Sequence, residues 1–177
     1  MAASVSYLFD KLGLVALACV AALVLWRFST PPAAQPVPVG TPMPPLGATG
    51  WLNVPAGESF DPSGKIVVVD CWATYCLPCR EEIPRLAILA DQYRPLGVEF
   101  VGLTSETQAD LPRLRDFIDA TPGFDWPVGY GAFPFMAALD VRAIPTLIVF
   151  APDGRATWSG RGAEGLEAAL DAALAAR

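Results

Sequence analysis

Three hydrophobic regimes follow one another along the chain. From Leu12 to Trp26 (LGLVALACVAALVLW) fifteen residues run without a charge. As a helix they span roughly 22 Å at about 1.5 Å per residue, short of the ~30 Å hydrocarbon core of a bilayer. Arg27 can snorkel and Phe28 extends the apolar surface, so residues 1–28 are read as an N-terminal transmembrane anchor. A cleaved signal sequence is the alternative. Cys19, in the middle of the run, reads as a small apolar anchor residue. Residues 29–45 then hold seven of the chain's eighteen prolines. Proline at that density favours extended geometry without helix or sheet, which predicts a semi-rigid linker.

From Leu46 to Arg177 the pattern becomes that of a globular domain. Lys65 to Asp70 (KIVVVD) and Val98 to Leu103 (VEFVGL) are apolar, β-branched runs that predict buried strands. Between them, Arg80 to Arg94 carries apolar residues at Ile83, Leu86, Ala87, Leu89, Ala90 and Tyr93, the stripe of an amphipathic helix. Leu111 to Ile118 predicts a second helix and Thr146 to Phe150 a third strand. Pro152-Asp153-Gly154 turns into a fourth strand at Arg155 to Ser159, and Glu164 to Ala176 closes the chain as a helix. This order predicts an α/β fold, a mixed central β-sheet flanked by helices on both faces.

Composition narrows the chemistry. The chain has no histidine, four cysteines, and 12 Lys+Arg against 18 Asp+Glu, a net charge of 12 − 18 = −6. Imidazole-dependent hydrolases, Ser-His-Asp or Cys-His proteases and His-ligated haem are therefore excluded. The acidic balance argues against nucleic acid as a partner, because phosphate binding needs clustered positive charge and the basic residues here are scattered. Cysteine and carboxylate remain as the reactive groups.

Residues 70–82 read D-C-W-A-T-Y-C-L-P-C-R-E-E. Cys76 and Cys79 follow a predicted strand and open a predicted helix, where unpaired N–H groups and the helix dipole favour thiolate at the first cysteine. Pro78 suits the first helical turn, and two intervening residues bring Cys79 within bonding range of Cys76. In that arrangement Cys76 would attack a substrate disulfide and Cys79 would resolve the mixed disulfide, with a closed structural disulfide or half of a zinc site as the alternative. Arg80 stands where a haem-attachment motif needs histidine. Cys71 neighbours Asp70 on the strand and is expected to face the opposite layer as a buried apolar residue, with a third redox thiol as the competing reading.

The stretch V-V-V-D-C-W-A-T-Y-C-L-P-C-R resembles the active-site strand and loop of the thioredoxin superfamily, and V-R-A-I-P-T-L-I-V-F resembles its cis-proline segment. The pattern of Cys76, Pro78, Cys79, Glu82 and Pro84, with the anchor and the proline linker, is similar to the membrane-anchored TlpA/ResA-like thiol-disulfide oxidoreductases. The resemblance covers residues 46–177 and implies a thioredoxin-like domain there. It implies that Pro145 is cis and that Ile144 offers its backbone to an extended substrate. Trp72 and Tyr75 would then shield the dithiol and provide a docking surface. Asp70 aligns with the buried proton acceptor for the second cysteine. Glu82 aligns with an acidic residue near the dithiol, where it tunes the thiols or takes the resolving proton, or else complements the helix dipole in the first turn.

The resemblance further implies a single-pass, membrane-anchored enzyme with its catalytic domain on the periplasmic, extracytoplasmic side. Its expected partners are protein dithiol or disulfide substrates, a membrane or soluble thiol electron donor, and the membrane itself through residues 12–28. No cofactor is expected beyond the Cys76/Cys79 couple, which would act as a reductant in cytochrome c maturation or a similar thiol supply. Two alternatives are weighed. A Cu(I)-binding metallochaperone on the same fold typically adds a histidine, absent here. A peroxiredoxin-like peroxidase needs proline and threonine seven and three residues before the cysteine, where this chain has Val69 and Ala73.

Overall fold

The computed structural model describes residues 36–177. The elements run β1 (Gly50–Leu52), β2 (Ile66–Cys71), α1 (Leu77–Tyr93), β3 (Val98–Leu103), α2 (Leu111–Asp119), β4 (Val128–Tyr130), α3 (Phe133–Ala138), β5 (Thr146–Phe150), β6 (Ala156–Gly160) and α4 (Leu166–Ala175). One six-stranded sheet has the order β1-β4-β3-β2-β5-β6. β2, β3 and β4 are parallel to one another, while β1, β5 and β6 pair antiparallel, so the sheet is mixed as expected.

Both faces of β2 are buried, and the alternation of its side chains divides the core in two. Ile66 and Val68 join the face covered by α1, α2 and α4, which contribute Ile83, Leu86, Leu114, Ile118, Leu166 and Leu170. Val67, Val69 and Cys71 join the other, with Phe135 and Met136 of α3. The parallel strands end together at Cys71 and Leu103, and there the functional residues collect.

Two strands escape the sequence pattern. β1 and β4 have three residues each, too short to show alternation, and they pair with each other across the chain. Gly50 makes room at that pairing for the Tyr130 ring, which a side chain there would displace.

The expected linker is corrected at its C-terminal end. Residues from Val37 on belong to the domain. Val37 is buried and exchanges two hydrogen bonds with Ser159 Oγ, its N–H donating over 2.9 Å and its carbonyl accepting over 2.8 Å. Gly40 N–H donates to the Ala156 carbonyl, Ala156 N–H to Thr41, and Met43 N–H to Gly154. The prolines permit this strap because an outermost strand needs N–H groups on one side only. Val37→Ala is expected to lower stability by roughly 2 kcal/mol, read as a shifted urea midpoint at unchanged slope. An unmoved midpoint would show the strap to be energetically idle.

No helix among the described residues is long and apolar enough to cross a membrane. The expected anchor over residues 1–28, with Cys19, lies outside the described residues.

Candidate active site

α1 begins at Leu77, three residues earlier than its apolar stripe suggests, because Pro78 occupies the first turn and Cys76 serves as the N-cap. Cys76 Sγ accepts a hydrogen bond from Cys79 N–H at 3.2 Å. The two cysteines are disulfide-bonded, with S–S 2.01 Å and Cα atoms 5.3 Å apart. Cys76 is 6% exposed and Cys79 1%, so an incoming sulfur can meet only Cys76. Tyr75 (69% exposed) and Leu77 (64%) flank it with apolar surface.

The Ile144–Pro145 peptide is cis, as the resemblance implies, and immediately precedes β5. Ile144 and Tyr75 line one cavity of about 280 Å³, together with Phe133, Met136 and Ser105. Trp72 is corrected. It is fully buried, its ring tilted against Phe117 at 5.1 Å and edge-on to Phe124 at 4.9 Å, so it supports the cavity from beneath and offers no docking surface. A larger cavity of about 670 Å³ lies at the other end of the sheet, beside Pro62 and the β5–β6 turn, with Asp153 as its only titratable group.

Asp70 is buried next to the end of β2, and its Oδ2 has no hydrogen-bond partner. Burial pushes its carboxyl up to about 7, with the charge of Glu82 adding to the effect. A carboxyl in that range can hold or release a proton near neutral pH. Its position on the α1 side of β2 follows from alternation, which sends Cys71 to the other side.

Glu82 is also corrected. With the helix starting at Leu77 it lies in the second turn, beyond the unpaired N–H groups, and it does not serve as an N-terminal charge. Its Oε2 instead accepts from Ala163 N–H at 2.9 Å, tying α1 to the loop before α4. It remains electrostatically coupled to Asp70.

Cys71 is a free, buried thiol in the α3-side core, and burial together with nearby Asp70 pushes its pKa up. A thiol held protonated on the opposite face of the sheet cannot serve as a third redox cysteine. Among the described residues no group of three His, Cys, Asp or Glu side chains could hold a metal ion.

Glu106 and Thr74 belong to the site without standing out in the sequence. Glu106, just after β3, is buried and accepts from both Thr74 N–H and Thr74 Oγ1 on the loop leading to Cys76. Glu106 stands three residues beyond β3, after Thr104 and Ser105, where no local pattern separates it from a solvated loop carboxylate.

The cysteine pair opens α1 directly after β2, and the cis Ile144–Pro145 peptide opens β5 alongside β2, the arrangement of a thioredoxin-like scaffold. The thioredoxin-like family matches residues 64–156, more than half of the chain, and the protein belongs to that family. Among curated relatives, the chain is 31% identical to the thiol-disulfide oxidoreductase ResA of Halalkalibacterium halodurans over 104 residues, 55% of this chain and 56% of that one. It is 35% identical to protein DipZ of Mycobacterium bovis over 74 residues, 40% of this chain and 11% of that protein. The chain thus spans about half of one of these relatives and about a tenth of the other. The thioredoxin domain of a Bacteroides vulgatus thiol-disulfide oxidoreductase superposes with a TM-score of 0.65 at 19% identity, covering 77% of this chain and 97% of that domain.

Proposed function

We propose that this protein is a membrane-anchored reductant of protein disulfides outside the cytoplasm, serving cytochrome c maturation or a similar thiol supply. The observation that carries the thiol-disulfide exchange in this reading is the asymmetry of the cysteine pair: one sulfur reachable at a helix N-terminus, its partner sealed behind it. ResA, named a thiol-disulfide oxidoreductase, supports the same chemistry by similarity. The uncharged run at residues 12–26 supports the anchor.

In the reduced protein the Cys76 thiolate attacks one sulfur of the substrate disulfide. A mixed disulfide forms and the other substrate sulfur leaves as thiolate. Cys79 then gives its proton to Asp70 and attacks Cys76. The Cys76–Cys79 bond forms, and the substrate departs fully reduced, having gained two electrons. A thiol donor must afterwards return two electrons to the bonded pair.

Equilibration of the Cys76/Cys79 couple with glutathione tests the direction. A potential near or below about −270 mV, the thioredoxin range, is expected. A value near about −120 mV, typical of a strong oxidant, would overturn the reductant assignment.

A further inference from the structure

We propose that Glu106 is a positioning residue for thiol exchange, clamping the loop from Trp72 to Cys76 so that the Cys76 sulfur stays at the N-terminus of α1. The inference rests on the thiol-disulfide reading of the site but not on the direction of electron flow.

The Glu106 side chain is only 3% exposed, and both of its oxygens are engaged. Oε2 accepts from Thr74 N–H at 2.8 Å and from Thr104 Oγ1 at 3.2 Å. Oε1 accepts from Thr74 Oγ1 at 2.5 Å and from Arg113 Nη2 and Nε at 2.8 and 3.2 Å. Its main chain is fixed as well, because the Glu106 carbonyl accepts from Gly131 N–H and its own N–H donates to Thr104 Oγ1.

A buried carboxylate is costly, so the groups it satisfies indicate its use. Here two of the five donors belong to Thr74, two residues before Cys76. The loop's other ties are Trp72 N–H to the Leu103 carbonyl and the local turn from Cys76 N–H to Ala73. Glu106 is thus the side chain that anchors the middle of this loop to the end of β3 and, through Arg113, to α2. Without it the buried Thr74 N–H loses its acceptor, and the loop can relax away from the position that lets Cys79 N–H reach Cys76 Sγ. The helix N-terminus acts on a thiolate only at close range.

Charge and position predict opposite signs. If Glu106 acted through its negative charge, neutralising it would ease thiolate formation. If it acts by position, losing it hinders thiolate formation, because the sulfur leaves its donors.

The test is the pH profile of iodoacetamide alkylation of Cys76 in the reduced, full-length chain, comparing wild type with Glu106→Gln, Thr74→Val, Thr74→Ser and the Glu106→Gln/Thr74→Val double variant. Glu106→Gln is expected to move the midpoint to higher pH and to slow alkylation at neutral pH on the order of tenfold. Thr74→Val should shift in the same direction by less, since its N–H remains. Thr74→Ser should restore the wild-type profile, and the double variant should be no worse than Glu106→Gln. An unmoved midpoint in Glu106→Gln, a shift to lower pH, or additive effects in the double variant would each overturn the proposal. Should Glu106→Gln fail to fold, Thr74→Val against Thr74→Ser decides alone: a shift restored by serine supports the clamp, and two wild-type profiles refute it. Alkylation needs no protein substrate, so a wrong assignment of reductant or partner leaves the result readable.

Discussion

Cys76→Ala is expected to reduce insulin disulfides no faster than the uncatalysed background, and Cys79→Ala to accumulate a mixed disulfide with the substrate protein. The two outcomes differ because the two sulfurs differ. Cys76 is the one an incoming disulfide can touch, at the N-terminus of a 17-residue helix that favours its thiolate. Cys79 is sealed behind it and can only attack from within. Removing the first prevents the initial bond from forming; removing the second leaves that bond without a resolving thiol. Cys71→Ala, in the opposite core layer, is expected to keep wild-type turnover. Insulin turnover and non-reducing gel electrophoresis read all three. A trapped complex with Cys76→Ala instead of Cys79→Ala would reverse the assignment.

Asp70→Asn is expected to slow release of the substrate from the mixed disulfide by roughly 10²-fold, the ordinary worth of a positioned proton acceptor. The wild-type pH profile of that step should bend near 7, where burial places the Asp70 carboxyl, and the bend should vanish in the variant. Stability should move the other way. The folded-state pKa lies above the ordinary value of 3.8, so the native state holds this proton more tightly than the unfolded chain does. The stabilisation is full below about pH 4, declines as the pH rises from there to about 7, and is gone above that. A neutral amide in place of the carboxyl has no charge to bury and carries no such penalty. The melting temperature of the oxidised variant should therefore gain on the wild type across that window and stay ahead above it. The gap corresponds to a few kcal/mol. A gap that closes as the pH rises, or a bend that persists in the variant, would remove Asp70 from the proton path.

Most of the sheet could be read from local pattern. β3 and β5 fall where their apolar runs predict, because a strand buried on both faces needs nearly every side chain apolar. β1 and β4 could not be read, since three-residue strands have no period and are specified by each other. The cysteine pair was legible because its chemistry depends on spacing along one helix end. Trp72 was misplaced because an aromatic next to a reactive loop looks the same in sequence whether it faces solvent or core. Glu82 was misplaced because α1 starts three residues before its hydrophobic stripe. Glu106 was missed for a different reason: its partners, Thr74 and Arg113, lie 32 residues before it and 7 after it, and only folding makes them neighbours.

The strap from Val37 to Met43 also bears on how copies of this domain meet one another. β6 is the last strand of the sheet, and a bare outer strand is a row of unpaired main-chain groups that invites pairing with a second molecule. Gly40 and Thr41 pair with Ala156, the first residue of β6, Met43 with Gly154 in the turn before it, and Val37 with the Ser159 side chain, while Pro38 and Pro42, having no N–H to donate, make the strap itself a poor template for another strand. At the opposite edge, β1 is three residues long and offers little to extend. Both rims of the sheet thus resist edge-to-edge aggregation, one by a proline-interrupted strap across the start of β6 and the other by being short.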